Sequence, residues 1–367
     1  MNSLDYAKKC CDTIMRQFPN GELPPVGPFH YHAGVFLHGM EEVYLLCGEK
    51  KYDNYIFNWV NPFIEEDGNI KNRQEGSVDA VQATNLLIRY AETKNFPSYE
   101  KALKKTAEKF FDWKVNSSGG FWHLPDTPNQ MWLDSVYMAS LFLTRYGIYS
   151  GDIRFLNMAQ RQFKLLWEHN RDAKTGLLYH AWDASIKAEW ADKETGRSPE
   201  VWGRALGWYM ATSALVAQIL PEGRFKEEIT GYAVSLAKCL VEFQDKEDGM
   251  WYQVVDKGNK KDNWKESSCT CLFTFGICKL IQMGVLDDKK YTDAAKKAYN
   301  TIIREYIGEE NDDVFVKNVC MGTGVGDYDY YISRPVKDND LHGTGAFTLM
   351  ATQYYRTFEE YGGHNER

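Results

Sequence analysis

Two aspartates, Asp79 and Asp134, stand at the head of segments that are almost wholly apolar or small, and MWLDSVYMA sets Asp134 between Trp132 and Tyr137. A carboxyl in apolar company resists ionisation, and one that stays protonated near neutral pH can act as a general acid. An acid at a helix start is also an ordinary cap or dipole partner, worth about 0.3–1 kcal/mol, and that reading suffices for each aspartate taken alone. Other polar residues fall at matching places: Tyr31 and His32, Trp202 and Arg204, Asp340 and His342. HAWD (180–183) adds His180 after a glycine turn. A lone histidine is commonly a satisfied core residue, and it is the neighbouring Trp182 and Asp183 that single this one out. Trp113, Trp122, Trp132, Trp182, Trp190, Trp202 and Trp208 crowd the same stretches. Flat aromatic faces among carboxylates and an arginine hold sugar rings, and a core of stacked aromatics accounts for them equally well.

The elements that must position these residues come in two kinds. Segments 4–18, 52–61, 98–113, 152–168, 224–243 and 291–307 carry apolar residues at steps of three and four with charged outer faces, as amphipathic helices do. Segments 31–47, 79–92, 134–147, 203–220, 267–283 and 341–360 are apolar or small nearly all round, which places them in the interior. The kinds alternate, and six inner helices ringed by six outer ones make an all-α, (α/α)6 toroid. That architecture lets residues 1–367 form one catalytic domain, although a length above about 300 also suits a two-domain helical array. Outer helices are followed by a glycine turn and a short apolar run, at EDGNI (66–70), GGFWH (119–123), TGLLYH (175–180) and EDGMWY (247–252), a repeat that predicts hairpin turns. If each outer helix returns the chain to one end, the polar residues share a single mouth of the ring.

Composition excludes several functions. A net charge of −8, without a Lys/Arg run interleaved with aromatics, gives no footprint for nucleic acid. No apolar stretch approaches the roughly 18 uninterrupted residues of a membrane span, and the N-terminal MNSLDYAKKCCDTIMRQF has neither the apolar core nor the cleavage site of a secretory signal. With eight cysteines and no C-x-x-C pair, the expectation is a cytoplasmic protein with reduced, buried thiols. Neither His nor Cys recurs at metal-ligand spacing, so no metal is expected. VCMGTGVGDYDYY (319–331) lacks the G-K-[ST] ending of a phosphate loop; its glycines suit a tight loop that brings backbone N–H groups to a ligand, or an ordinary irregular loop.

QMWLDSVYMA (130–139), HAWD (180–183), VWGRALGW (201–208), GTGVG (322–326) and DLHGTGAF (340–347) resemble, in order along nearly the whole chain, the unsaturated rhamnogalacturonyl hydrolases of glycoside hydrolase family 105. These are six-hairpin α/α barrels related to the unsaturated glucuronyl hydrolases of family 88. The resemblance implies an enzyme that takes unsaturated uronyl oligosaccharides, the products of polysaccharide lyases, and removes the 4,5-unsaturated uronic acid at the non-reducing end. A carboxylic acid protonates C4 of the vinyl ether, water adds at C5, and the hemiketal opens to release the neighbouring sugar, with no cofactor. By the same resemblance Asp134 is the general acid/base and Asp79 the second aspartate, in contact with the unsaturated ring. His180, Trp202, Arg204 and Trp208 match substrate-binding positions; Tyr31 in FHYHAG and His123 in GFWH fall where the family presents ligand-facing side chains, and His342 stands in the last motif. An arginine fork meeting the uronate carboxylate fits that chemistry. Two departures stand out: SVDAVQAT (77–84) lacks the Asn-x-Gly that often follows the first aspartate, and Leu124 follows His123 where relatives often carry a basic residue. The glucuronyl branch, a histidine-based sugar epimerase and a non-catalytic oligosaccharide-binding protein are the competing readings.

Overall fold

A computed structural model describes residues 1–94 and 96–360. Its outer helices are α1 (Ser3–Gln17), α3 (Lys50–Val60), α5 (Pro97–Glu108), α7 (Ile153–Asn170), α9 (Arg224–Glu242) and α11 (Lys289–Thr301). The inner ones are α2 (Tyr31–Cys47), α4 (Asn85–Lys94), α6 (Leu141–Ser150), α8 (Gly203–Ile219), α10 (Ser267–Gln282) and α13 (Leu341–Tyr354), with the short α12 (Tyr328–Ile332) in the connection before the last. Each inner helix packs on the next, and α13 returns against α2 to close the ring. The expected six-pair toroid is therefore the fold.

Burial follows the two patterns that distinguish the helices. In α13 every residue is buried, and α10 is buried from Ser267 through Leu280. Outer α7 buries only Phe155, Ala159, Gln162, Phe163, Leu166 and Asn170, one stripe at helical spacing. Where α2 and α13 close the ring their backbones come very near: a Cβ on Gly39 would lie 2.9 Å from Thr348 Cβ, and one on Gly345 2.8 Å from the Val35 backbone. Caps fix the starts. Asn2 and Asp5 form a reciprocal capping box on α1, Asp152 caps α7, and the Glu266 carboxylate receives the N–H groups of Ser268 and Cys269 at α10.

The glycine turns after the outer helices are present as read. Gly68, Gly119, Gly176 and Gly249 all have φ between +73° and +86°, and short antiparallel bridges join Ile64 to Ile70, Val115 to Phe121 and Arg171 to Leu178. Several places differ from the sequence expectation. The inner segment expected over 79–92 is a 3₁₀ turn at Asp79–Thr84 before α4 begins, and that expected over 134–147 opens with a π-helical turn at Val136–Ser140 before α6. The last turns of the helices expected over 291–307 and 341–360 are likewise π-helical, at Ile302–Tyr306 and Tyr355–Glu359. A hairpin of Ile307–Glu310 with Asp313–Val316 follows α11 and had no counterpart in the reading.

Candidate active site

At one end of the ring the connections form a chain of backbone hydrogen bonds that pins the residue beside each candidate side chain. Val78 N–H donates to His123 O, His123 N–H to Gln130 O, Leu133 N–H to His180 O, His180 N–H to Glu200 O, and Gly203 N–H to Gln253 O. Strands β1 (Gln130–Trp132) and β2 (Ala181–Asp183) pair antiparallel within this chain. Asp79, His123, Asp134, His180 and Trp202 thus arrive at one mouth on backbone whose polar groups are already satisfied. Asp183 of HAWD belongs to this scaffold, since its carboxylate accepts from the N–H groups of Ser185, Lys187 and Ala188.

Asp79 and Asp134 retain 23 % and 12 % side-chain exposure, enough to present oxygens to a ligand. Burial first, and then the negative charge of Asp134, push the Asp79 carboxyl up to about 8, so it holds its proton at neutral pH. Asp134 goes the other way, against the expectation from its apolar neighbours. Burial pushes its pKa upward, but the His180 hydrogen bond and the nearby His180 and His123 rings outweigh that and hold it below the usual carboxylate range. The pair therefore carries one proton near neutrality, residing mainly on Asp79.

Each aspartate has a histidine in attendance. His180 Nε2 is 3.1 Å from Asp134 Oδ2, and its Nδ1 is 2.7 Å from the Tyr331 hydroxyl. His123 Nε2 lies 3.4 Å from Asp79 Oδ1, its Nδ1 bonds Ser135 Oγ at 2.8 Å, and its ring stacks on Trp132 at 4.2 Å. Burial drives the His123 pKa down to about 3, so this imidazole is neutral. A third histidine, His342, sits between Asp340 (Nδ1 to Oδ1, 2.6 Å) and the Tyr31 hydroxyl (Nε2, 3.0 Å). Burial lowers the His342 pKa, so its one ring proton lies on Nδ1 toward the Asp340 carboxylate and Tyr31 donates to Nε2. Asp79, Arg204, Asp134 and Asp340 all lie close enough to Tyr31 to influence its hydroxyl, which places it among them.

Arg204 is 2 % exposed, 4.7 Å above the Trp202 ring. Its two terminal nitrogens donate to the carbonyls of Cys320 and Met321, so the fork expected for a uronate already binds backbone. No carboxylate pairs with this cation among the described residues. Trp208, one turn further along α8, is buried and stacked on Tyr137 at 4.4 Å, with the Tyr137 hydroxyl 2.8 Å from His38 Nδ1. Its surroundings are those of a packed wall residue. Beside Asp79, a cavity of about 350 Å³ is lined by that residue with Phe29, His30, Asn72 and Arg73 among others. Among the described residues no group of three or more His, Cys, Asp or Glu is placed to hold a metal ion, and no helix is long and apolar enough to cross a membrane.

The chain matches the Glycosyl Hydrolase Family 88 profile over residues 6–358. It belongs to that family. A solved structure described as a glycoside hydrolase from family 105, of C. acetobutylicum ATCC 824, superposes with a TM-score of 0.89 at 30% identity, covering 95% of this chain and 99% of that one. The unsaturated rhamnogalacturonyl hydrolase YesR of Bacillus subtilis is 24% identical over 336 residues, 87% of this chain and 88% of its own. An unsaturated 3S-rhamnoglycuronyl hydrolase of Alteromonas sp. is 26% identical over 243 residues, 65% of this chain and 54% of its own. Unsaturated glucuronyl hydrolase from Bacillus sp. GL1 shares the fold at 14% identity, with a TM-score of 0.69.

As a family 88 glycoside hydrolase, the chain brings all nine candidate residues toward one mouth. Eight fall in three contact groups, Asp134 with His180, Trp202 and Arg204, Asp79 with His123, and Tyr31 with His342, and Trp208 lies against Tyr137. Sequence reasoning did not single out Ser135, which supports His123, or Tyr331, which supports His180. Ser135 follows Asp134 directly, a signal of adjacency. Nothing local marks Tyr331, whose partner is 151 residues away.

Proposed function

We propose that this glycoside hydrolase removes the 4,5-unsaturated uronic acid from the non-reducing end of lyase-generated oligosaccharides, with unsaturated galacturonyl-rhamnose as its first substrate. The observation that carries the reading is the aspartate pair at one mouth: burial and the charge of Asp134 hold the proton on Asp79, while His180 keeps Asp134 below the usual carboxylate range. Hydration of a vinyl ether needs both states at once, an acid for C4 and a base for the incoming water. The Asp79 proton passes to C4, water forms the bond to C5, and its released proton goes to Asp134. The pair then still holds one proton, now on Asp134; the hemiketal opens as the C5 hydroxyl proton moves to the ring oxygen and then to the oxygen of the leaving sugar, with no net uptake, and proton exchange through water returns the pair's proton to Asp79. This begins the cycle with Asp134 as base, where the sequence expectation began it with Asp134 as acid. Because the anomeric carbon is not attacked, carboxylate spacing carries no stereochemical meaning here.

The unpaired Arg204 guanidinium and the N-terminal ends of six inner helices favour an anionic sugar at the mouth of a protein whose net charge is −8. The element rhamno- occurs in the names of the two hydrolase relatives described above, which supports rhamnose as the leaving sugar. The Alteromonas relative favours a glycuronyl-rhamnose substrate as the second reading. We take the closed ring as a single catalytic unit. The test is loss of the ultraviolet absorbance of the C4=C5 bond when the purified protein meets an unsaturated galacturonyl-rhamnose disaccharide. Wild type is expected to bleach it and Asp134→Asn to be slower by at least about 10³-fold. Bleaching by Asp134→Asn at the wild-type rate removes Asp134 from the mechanism. Turnover of a glucuronyl-rhamnose substrate alone selects the second reading.

A further inference from the structure

We infer that Tyr331 is a positioning residue for the reaction: through its hydroxyl it sets the tautomer of His180 and so keeps an N–H directed at Asp134. The inference rests on the reading of Asp134 as the group that exchanges protons with water and substrate.

The Tyr331 side chain is buried with 0 % exposure. Its oxygen accepts the Gly326 N–H at 3.2 Å and lies 2.7 Å from His180 Nδ1. Among the described residues no other acceptor is within hydrogen-bonding range of that hydroxyl, so its proton goes to Nδ1. Nδ1 is thereby the lone-pair nitrogen, and the ring proton resides on Nε2, 3.1 Å from Asp134 Oδ2. Donation runs one way along four groups, from the Gly326 amide through Tyr331 and His180 to Asp134. The glycine is needed for this approach, since a Cβ at Gly326 would lie 2.5 Å from the Tyr330 ring.

The phenol ring is held independently of its hydroxyl. It stacks on Trp202 at 5.7 Å with 15° between planes. Gln253 Nε2 donates to the Tyr331 carbonyl at 3.0 Å, and Trp264 Nε1 to the Ile332 carbonyl at 3.1 Å. Removing the oxygen therefore leaves the segment anchored and releases only the tautomer constraint. With the other tautomer, Asp134 faces a lone pair in place of a donor, and a charge-assisted hydrogen bond to the reacting carboxylate is gone.

Tyr331→Phe is the test, read in two independent ways. In wild-type protein labelled with ¹⁵N-histidine, the His180 signals, identified by their loss in His180→Gln, are expected to be those of the Nε2–H tautomer. In Tyr331→Phe they become those of a mixture. On the unsaturated disaccharide, kcat falls by about 10–100-fold while KM stays within about threefold. The acid limb of kcat/KM moves to higher pH, because Asp134 loses its fixed donor on His180 while Asp79, His123, His342 and Tyr31 around it are unchanged. A residue that only props up the fold would lower the melting temperature and leave the pH profile in place. An Nδ1–H tautomer in wild type overturns the inference without use of any variant, as does a Tyr331→Phe enzyme with unaltered kcat, pH profile and tautomer. Failure of the functional reading looks different: wild type leaves every unsaturated uronyl substrate untouched, while the imidazole spectra still decide the tautomer.

Discussion

Replacing Asp79 by Asn should stabilise the protein, and more so as pH rises. A carboxyl displaced from 3.8 to about 8 binds its proton far more tightly in the folded chain than in the unfolded one. Between those two values the native state holds more protons than the unfolded state, so stability falls as pH rises, by up to about 1.4 kcal/mol per pH unit. From pH 5 to pH 8 the ceiling on this loss is about 4 kcal/mol; relaxation around a carboxyl with 23 % of its side chain exposed reduces the expected figure to about 2–3. Asn keeps the shape and cannot ionise, so the variant escapes the loss. Urea unfolding of wild type and Asp79→Asn at pH 5 and pH 8 measures it as a difference of differences, in which every other titrating group cancels. Asp134 does not enter, because it is held below the usual carboxylate range and stays ionised throughout the window. A stability gap between the two proteins that changes by less than about 0.5 kcal/mol between pH 5 and pH 8 would show that Asp79 is not a protonated carboxyl in the free protein, and the proposed starting state of the reaction would fall with it.

The same proton predicts activity: kcat/KM for the unsaturated disaccharide should decline above about pH 8 as Asp79 ionises, and a profile flat to pH 9.5 would contradict its role as the first acid. The glycine turns give a separate prediction about the scaffold. Gly68→Ala places a Cβ 2.5 Å from Lys101 Cβ at a φ of +86°, whereas Gly48→Ala, at +69°, meets nothing within 4 Å. Thermal unfolding should show Gly68→Ala as the costlier change by about 1–3 kcal/mol, and equal melting temperatures would mean that the turn does not press on α5.

The ring was legible because burial leaves a compositional trace. A segment such as SSCTCLFTFGICKLIQ has no polar face to offer water, while the sequence of α7 has one, and the alternation of the two kinds is the architecture. The 3₁₀ turn at Asp79 and the π turn after Asp134 were not legible, since shifting the hydrogen-bond step by one residue over a turn or two barely alters the hydrophobic spacing. The Ile307–Val316 hairpin did have a signal: Asn311 and Asp312, both at positive φ, sit as a two-residue turn between its strands. The direction of the Asp134 shift could not be read locally at all. Its apolar neighbours in sequence predict a raised value, and the group that reverses it, His180, is 46 residues away.

The two aspartates share a sequence context and end in opposite protonation states, and the difference lies in what each attendant histidine can donate. His180 has its proton placed on Nε2 by Tyr331, so Asp134 receives a donor and keeps its charge. His123 stands 3.4 Å from Asp79, longer than a good hydrogen bond, and is neutral, so it offers little to a carboxylate there. Once Asp134 is ionised, its charge joins burial in holding the proton on Asp79. The asymmetry thus propagates from a loop tyrosine through one imidazole to both carboxyls. Reversing it would require moving a donor from His180 to His123, which neither aspartate controls; the acid and the base are assigned by the connections of the ring, and the inner helices hold them within reach of one substrate.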